Sequence, residues 1–313
     1  MRAATIREGQ VVVEEHPAPE PLAGEVLVRV HAAGLNGGDM MQRRGLYPAP
    51  PGYPQDIPGM ELAGEVAALG AKTERFAEGD RVMAIVGGGA QAELAVVHER
   101  LLMPVPANLE WAAAGGLPEV FTTAHDALIV QAQLRPGEHL LVHGGAGGVG
   151  TAAIQLARAL GARVTATVRD EALREQVAQL GATAIPSEEF AERGPFDVVL
   201  ELVGAPNMAQ NLQALATGGR IAVIGVSAGA SSELNLLALM GKRGRIHGST
   251  LRARPLEEKA LNARLVEHEV LPLFDRGQLT VPIAETFPLD AAGEAYDRFA
   301  AGGKLGKIVL TIG

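Results

Sequence analysis

The chain has 313 residues, a length at which a single hydrophobic core stops growing, so we expect two domains. Hydrophobic residues make up 47% and charged residues 20% of the chain, which excludes a wholly disordered protein. The absence of cysteine excludes disulfides, thiolate catalysis and every cysteine-containing zinc or iron–sulfur site. With 27 basic and 36 acidic residues the net charge is −9, which argues against a generally basic surface for nucleic acid.

The N-terminal segment carries charges throughout and has no apolar core of the kind found in signal peptides. One stretch without charged side chains, 139–157, is rich in glycine and contains two histidines, so it is a poor membrane span. We therefore predict a soluble protein, located in the cytoplasm and without membrane partners.

The first part of the chain, up to about residue 118, has the pattern of a β-rich domain. Gly, Pro and charged turns separate short apolar runs, which we predict to be strands at Val11–Val13, Val26–Val30, Val82–Val86 and Leu94–Val97. Between them, Gly45–Pro58 contains five prolines, which cannot supply ladder hydrogen bonds. This segment is predicted to be a surface or pocket-lining loop.

From about residue 120 strands alternate with helices, which predicts a parallel sheet covered on both faces, an α/β doubly wound fold. The predicted strands are Leu140–His143, Arg163–Val168, Val198–Leu202, Arg220–Val226 and Arg245–Leu251. The predicted helices are Ala124–Gln133, Val149–Leu160, Glu171–Leu180, Met208–Ala216 and, with Leu261, Leu265, Leu271 and Phe274 as core positions, Pro255–Arg276. A strand at Lys307–Ile312 closes the chain. We expect domain limits of 1–119 and 120–265, with a return to the first domain over 266–313.

The strongest chemical signal is a glycine turn between the predicted strand Leu140–His143 and the predicted helix Val149–Leu160. Its spacing, Gly-x-Gly-x-x-Gly, in a strand–turn–helix context is typical of dinucleotide binding. The glycines let a pyrophosphate approach the backbone, and the helix N-terminus offers N–H groups to it. The predicted cofactor-binding residues of this turn are Gly145, Gly147, Gly148, Val149 and Gly150.

The end of the second predicted strand indicates which dinucleotide binds. Sites for NAD place Asp or Glu there to bind the ribose 2′-hydroxyl, whereas this chain has Val168 followed by Arg169. A guanidinium at this position favours a 2′-phosphate, so we predict NADPH, with Arg169 as a cofactor-binding residue. Asp170 and Glu171 follow directly and argue mildly for NADH, although acids also start helices.

Several segments resemble the quinone oxidoreductase (zeta-crystallin-like) family of the medium-chain dehydrogenases/reductases, most closely its tumour-suppressor-inducible branch. They are GEHLLVHGGAGGVGTAAIQLARA (137–159), GMELAGEVAALG (59–70), GLNGGDMMQRRGLYP (34–48), PEVFTTA (118–124) and GKIVL (306–310). The resemblance spans nearly the whole chain. It implies a GroES-like catalytic domain, built from both ends of the chain, around a Rossmann domain.

Zinc alcohol dehydrogenases of the same superfamily have a histidine where this chain has Met60, and a cysteine about where it has Asn36. We therefore predict no metal site and a zinc-independent reaction. Without zinc to stabilise an alkoxide, an acceptor that delocalises charge is expected, such as a quinone or an electron-poor C=C bond. The protein then has to position the acceptor and donate a hydrogen bond.

The candidate catalytic residues are Asn36 and Tyr47, which fall at pocket positions by family resemblance. The amide of Asn36 could bind a substrate or cofactor oxygen, or instead form a turn before a predicted helix at Met40–Arg44. Asp39 is interpreted as a cap of that helix. Tyr47 combines an aromatic face with a hydroxyl, and simple packing of its proline-rich loop is the alternative.

Further cofactor contacts are predicted where strands end or where the family places the nicotinamide. They are Thr123, Gly225, Val226, Ser227, Ser249 and Leu251. Turn or core positions are the alternative interpretation. Ser187 stands about where many relatives carry a tyrosine near the adenosine, so adenosine contacts there are left open.

Three functions compete. The leading one is NADPH-dependent reduction of quinones, and the second is reduction of α,β-unsaturated carbonyls or enoyl thioesters on the same scaffold. The third is a non-catalytic protein that binds NADPH or RNA. One local basic cluster could be the surface that binds RNA, the entrance for a CoA or carrier-protein thioester, or a solvated edge: Lys242, Arg243, Arg245, Arg252 and Arg254. Family resemblance also implies a homodimer in which the strand Arg245–Leu251 pairs with its copy.

Overall fold

The computed structural model describes all residues, Met1 to Gly313, and divides into two compact units. The first unit comprises Met1–Thr122, Leu251–Gly302 and Lys307–Gly313. The second unit comprises Thr123–Thr250 and Gly303–Gly306. The chain returns to the first unit at Leu251, earlier than the predicted residue 266, because the helix that follows packs within the first unit.

The strands are, in chain order, β1 Arg2–Arg7, β2 Gln10–Glu15, β3 Glu25–Gly34, β4 Glu61–Leu69, β5 Arg81–Ile85, β6 Leu94–His98, β7 Met103–Pro104, β8 His139–Val142, β9 Arg163–Thr167, β10 Thr183–Ile185, β11 Phe196–Glu201, β12 Leu215–Val223, β13 Arg245–Gly248, β14 Ile283–Pro288 and β15 Lys307–Thr311. The α-helices are α1 Gly37–Arg43, α2 Trp111–Gly115, α3 Pro118–His125, α4 Gly148–Leu160, α5 Arg174–Gln179, α6 Met208–Ala214, α7 Leu236–Lys242, α8 Leu256–Glu269, α9 Leu271–Asp275 and α10 Ala292–Ala301. A π-helix, Asp126–Gln131, continues α3, so the predicted helix Ala124–Gln133 is not a uniform α-helix.

The second unit is built on a six-stranded parallel sheet. Its strand order is β10-β9-β8-β11-β12-β13, which, counted from β8, is the order 3-2-1-4-5-6 of the Rossmann fold. The central strand β8 buries Leu140, Leu141 and Val142 completely, as expected for a strand covered on both faces. The strand order reverses between β8 and β11, and ligands of such sheets bind at the carboxyl ends of the strands there.

The first unit is built on a mostly antiparallel sheet with the order β14-β15-β3-β4-β5-β7, in which β6 also pairs with β3. The long strand β3 buries every second side chain, Val26, Val28 and Val30, and exposes Arg29 between them. The last strand, β15, pairs antiparallel with β3, so the end of the chain is fixed in the first sheet.

One predicted helix, Pro255–Arg276, is interrupted. It forms α8 and then α9, because Pro272 in the first turn of α9 has no N–H to continue the helix. Leu271 and Phe274 are buried as predicted, whereas Leu261 is 59% exposed. Helix α8 packs against β7 and the 3-10 helix Glu99–Leu101, which explains why it belongs to the first unit. No helix in the structure combines the length and the apolar character needed to cross a membrane.

Candidate cofactor and active site

The glycine turn joins β8 to α4 in the second unit. The N–H of Gly145 donates to Thr167 O (3.0 Å), and the N–H of Gly147 donates to Gly144 O (3.0 Å). Gly147 is the N-cap of α4, and the first turn of the helix, whose N–H groups have no partner inside the helix, is formed by Gly148, Val149 and Gly150. Free N–H groups at the positive end of a helix dipole form an anion site.

The three positions of the motif differ in what a side chain would contact there. A Cβ on Gly145 would lie 2.8 Å from Ala166 Cβ, and one on Gly150 would overlap Gly144 O, so both glycines are needed for the strand and helix to pack. A Cβ on Gly147 would meet only Gly144 O, at 3.4 Å. The backbone of Gly306 pairs with Gly147, but the side on which a Cβ would stand is open. The missing side chain at Gly147 is therefore not explained by internal packing, and the open side fits a dinucleotide pyrophosphate.

The carboxyl end of β9 carries two cations. Arg169 is exposed directly after the buried Val168. Arg174, which sequence analysis missed, donates from Nε to Val168 O (3.2 Å), so a second guanidinium is anchored at the same strand end. Asp170 accepts a hydrogen bond from the N–H of Ala172 (3.1 Å), so it caps the helix Glu171–Leu173. This agrees with the interpretation of these acids as a helix start.

The other predicted cofactor residues of the second unit fall into two groups. Val226 and Ser227 are exposed in the loop after β12, and a Cβ on Gly225 would lie 2.5 Å from Leu202 O. Thr123 is buried in α3. The hydroxyl of Ser249, by contrast, accepts from Gln131 Nε2 (2.7 Å) and lies 3.3 Å from Asp126 Oδ2, to which it donates.

Leu251 lies in the first unit rather than in the Rossmann unit for which it was predicted. Its side chain lines a cavity of about 20 Å³ together with Ile85, Met103 and Ala263. This internal packing explains its burial without any cofactor contact.

The first unit contains five ionisable side chains drawn together from distant parts of the sequence, which we call the buried charge cluster: Asp39, Glu61, Glu119, Arg252 and Lys307. Four of them are buried, and Glu119 is partly exposed. Glu61 is 0% exposed and Lys307 3%, and their Oε1 and Nζ atoms are 2.6 Å apart. Asn36 joins this pair, since its Nδ2 donates to Glu61 Oε1 (2.9 Å) and its Oδ1 accepts from Lys307 Nζ (2.7 Å). The amide of Asn36 is thus engaged inside the cluster.

Asp39 caps α1, as predicted. Its Oδ2 accepts from the N–H of Asn36 (2.8 Å) and its Oδ1 from the N–H of Gly59 (3.1 Å). Burial raises the pKa of Asp39 to about 6, against the effect of these two N–H groups and of Lys307.

Glu119 stands in the first turn of α3, and sequence analysis missed it as a functional residue. Its N–H donates to Glu61 Oε2 (2.8 Å). Burial, and then the charge of Glu61, raise the pKa of Glu119 to about 8. Glu119 lies in the segment PEVFTTA (118–124), one of the segments that carry the family resemblance.

Arg252 fixes the loop that carries Tyr47. Its side chain is buried, and it donates to Gly87 O (2.7 Å), Tyr47 O (2.8 Å) and Gln42 Oε1. The guanidinium also lies over the Tyr47 ring, 5.0 Å from the centroid. Burial raises the pKa of Tyr47, and Arg252 opposes this rise. The Tyr47 hydroxyl makes no hydrogen bond within the chain, so the ring is held while its hydroxyl stays available to a ligand.

No group of three or more His, Asp or Glu side chains is arranged to hold a metal ion. Met60, at the position of the superfamily's histidine, is buried beside Glu61. Its thioether and the Tyr47 ring both pack on Gly38, where a Cβ would lie 2.7 Å from Met60 Cε and 3.4 Å from Tyr47 Cδ1.

Comparison with known proteins assigns parts of both units to known domain families. Residues 22–107 match the family "Alcohol dehydrogenase GroES-like domain" and residues 148–267 match the family "Zinc-binding dehydrogenase". The first unit is accordingly GroES-like, and the second is a Rossmann-like unit. The sequence is 33% identical to the quinone oxidoreductase of Homo sapiens over 309 residues, which are 94% of this chain and 91% of that protein.

Two solved structures resemble the whole chain. An alcohol dehydrogenase superfamily protein from Novosphingobium aromaticivorans is 32% identical, with a TM-score of 0.88 and complete coverage of both chains. A mycobacterial protein in complex with NADPH is 25% identical, with a TM-score of 0.89, and the similarity covers 99% of this chain and 100% of that one.

Proposed function

Because the chain belongs to the quinone oxidoreductase family of the medium-chain dehydrogenases/reductases, we propose that it passes a hydride from NADPH to quinones and needs no zinc. It is an NAD(P)H-dependent oxidoreductase, and its cofactor is NADPH. Zinc independence is supported by the missing cysteines and by Met60 at the histidine position.

The quinone proposal depends on how Tyr47 is held: its ring is fixed and its hydroxyl is unbonded. Arg252 fixes its backbone and ring, while the hydroxyl has no partner in the chain. A flat acceptor that delocalises negative charge onto oxygen needs an aromatic face for positioning and one hydrogen bond to that oxygen. Tyr47 offers the hydroxyl and the face of its ring opposite Arg252, and Asn36 holds the Glu61–Lys307 pair of the same unit in place.

The cofactor is assigned to the second unit. Bound NADPH supplies the hydride. The N–H groups of Gly148, Val149 and Gly150 bind the pyrophosphate, and Gly145 and Gly147 shape the turn. Arg169, with Arg174 beside it, binds the 2′-phosphate through charge-assisted hydrogen bonds. Thr123 and the loop residues Gly225, Val226 and Ser227 are assigned to the nicotinamide half. Ser249 and Leu251 are not assigned to the cofactor, because Ser249 hydrogen-bonds to Gln131 and Asp126 and Leu251 lines an internal cavity.

The homodimer and the cytoplasmic location are also part of the proposal. Strand β13 pairs only with β12, so its other edge is open. Helix α7, which precedes it, exposes Leu236 (64%), Leu237 (77%) and Met240 (71%), an apolar surface that a second copy would cover. Sedimentation analysis at micromolar concentration should find twice the mass of one chain, which is 32.5 kDa. A monomer would contradict the dimer.

The basic cluster that supported RNA binding is not a surface patch. Arg252 is buried, and Lys242 donates from Nζ to Leu215 O (2.6 Å). Only Arg243 and Arg245 of that set are exposed. This weakens the non-catalytic alternative and also an entrance for CoA or carrier-protein thioesters, while reduction of enones remains as the second outcome of the assay below.

The test is loss of NADPH absorbance with an ortho-quinone, a para-quinone and a conjugated enone, each repeated with NADH. We expect turnover with quinones and NADPH. The variant Tyr47→Phe keeps the ring and loses the hydroxyl, and its kcat/KM should fall about tenfold with unchanged affinity for NADPH. Turnover of the enone alone would move the protein to the double-bond reductases, and NADPH binding without any turnover would favour the non-catalytic alternative.

A further inference from the structure

The buried charge cluster contains three acids and two cations, so it cannot be neutralised by pairing alone. Glu61 is fully engaged as a carboxylate, because it binds Lys307, Asn36 Nδ2 and the N–H of Glu119. Asp39 accepts two backbone N–H groups. The remaining cation, Arg252, donates to two carbonyl oxygens and one amide oxygen instead of to a carboxylate.

Glu119 is the acid that this arrangement leaves without a partner. Its backbone N–H points to Glu61, but its own carboxyl makes no hydrogen bond or ion pair within the chain. Among the charged groups that face it, Glu61 and Asp39 oppose its ionisation, whereas Lys307 and Arg252 favour it. Burial adds to the opposition and is the largest effect, so the pKa of Glu119 rises to about 8 and the carboxyl carries a proton at neutral pH.

Glu119 also shares the electrostatic environment of Tyr47. The charge of Glu119 raises the pKa of the Tyr47 hydroxyl, and the same carboxyl acts on the pKa of Arg252. Contacts join the two residues as well: the Tyr47 ring and Met60 both pack on Gly38, and Glu61, which follows Met60, accepts the N–H of Glu119. The proton of Glu119 therefore belongs to the same cluster of groups as the side chain that we assign to the acceptor.

Reduction of a quinone needs such a proton. The quinone takes two electrons and one hydrogen from NADPH as a hydride, the nicotinamide is oxidised, and the product is a hydroquinone monoanion. One O–H bond must still form to give the neutral hydroquinone, and the proton can come from water or from an acid in the site.

We propose that Glu119 is the proton donor to the reduced acceptor, a role that rests on the proposed quinone reduction. Its O–H bond breaks, the proton forms the second O–H bond of the hydroquinone, and the carboxylate left on Glu119 regains a proton from water. No further oxidant or reductant enters the step.

The other groups of the site are poorer donors. Burial raises the pKa of Tyr47 above its ordinary value of 10.0, so its hydroxyl is a weaker acid than Glu119. The Asp39 oxygens already accept hydrogen bonds, and the pKa of Asp39, about 6, leaves it largely ionised at neutral pH. Lys307 is held by Glu61, Asn36 and Leu35 O. A neutral carboxyl without a partner is thus a property of Glu119.

The test compares Glu119→Gln, which keeps the shape but cannot give a proton, with Glu119→Asp, which keeps the acid. We expect kcat for the quinone to fall about 100-fold in Glu119→Gln and to recover in part in Glu119→Asp, with unchanged affinity for NADPH in both. The wild-type kcat should decline as pH rises through about 8, and this decline should be absent in Glu119→Gln.

A readout independent of turnover is the infrared carbonyl band of a protonated carboxyl. The wild type should show such a band that titrates near pH 8, and Glu119→Gln should lack it. Wild-type kcat and an unchanged pH profile in a folded Glu119→Gln would overturn the donor role alone. A wild type that reduces no quinone, whatever its infrared titration shows, would overturn the proposed function and this role with it.

Discussion

The glycine turn of the second unit and the buried charge cluster of the first unit are built in opposite ways. The turn is local, running from Gly145 to Gly150, and its binding groups are backbone N–H atoms. The cluster joins side chains such as Lys307 and Asn36, which are 271 residues apart in the sequence. A backbone site depends on where side chains are missing, whereas a buried ionic site depends on every charge keeping its partner. Substitutions in the two regions should therefore lower stability or cofactor affinity for different reasons.

The largest effect is expected where a buried charge loses its partner. Lys307→Met leaves Glu61 unpaired at 0% exposure, so the free energy of unfolding should fall by about 3–5 kcal/mol. Urea unfolding measures the change. The double variant Lys307→Met/Glu61→Gln removes the stranded charge and should recover part of the loss. A loss of less than about 1 kcal/mol in the single variant would show that the pair is not a buried ionic interaction.

In the glycine turn the effect should depend on which glycine is changed. A Cβ on Gly150 overlaps Gly144 O, so Gly150→Ala should lower the free energy of unfolding by about 1–3 kcal/mol and weaken NADPH binding. Gly147→Ala is the matched control, because its Cβ would lie 3.4 Å from Gly144 O and its φ of −74° suits alanine. It should retain the melting temperature and lose NADPH affinity in fluorescence titration. Equal NADPH affinity of Gly147→Ala and wild type would contradict a pyrophosphate at that edge.

The difference between a local site and a site assembled from distant residues also explains which features could be predicted from the sequence. The Rossmann unit was predictable because its signals are local: the helix predicted at Val149–Leu160 is observed at Gly148–Leu160, and the alternation of strands and helices predicts the parallel sheet that is observed. Arg252 was misinterpreted as part of an exposed basic cluster. Its partners Gly87, Gln42 and Tyr47 lie 165 to 210 residues away, and no pattern near Arg252 indicates them. Burial of a charge is a property of the tertiary fold, so sequence periodicity does not reveal it.

Arg169 stands between the two kinds of site: it acts through its side chain, as in the cluster, but its position could be predicted from the local sequence, as in the turn. Arg169→Ala should raise the Kd for NADPH roughly tenfold and leave the Kd for NADH unchanged, because only NADPH carries the 2′-phosphate. Arg163→Ala is the control, since Arg163 is also exposed but lies at the opposite end of β9. Calorimetric titration of the wild type and both variants with the two cofactors measures all six dissociation constants. A parallel loss of affinity for both cofactors would place Arg169 at another part of the dinucleotide.

The smallest expected change is a pH dependence of stability that isolates Glu119. The folded protein holds this proton up to about pH 8, whereas the unfolded chain releases it near the ordinary value of 4.5. Unfolding therefore releases a proton between these values, so the contribution of Glu119 to stability is complete below pH 4.5, falls as pH rises and is lost above pH 8. Asp39 acts in the same direction between 3.8 and about 6, but it is present in wild type and variant alike.

Glu119→Gln removes this titration, because an uncharged amide of the same shape takes the place of the carboxyl. Its stability relative to the wild type should increase by on the order of 1 kcal/mol between pH 6 and pH 9, because solvent screens part of the effect at a partly exposed carboxyl. Urea unfolding at both pH values measures the difference. If the two proteins lose stability in parallel, Glu119 is ionised in the folded state at neutral pH. The three acids of the cluster would then all be charged against two cations, and the cluster would need a further positive group to be stable.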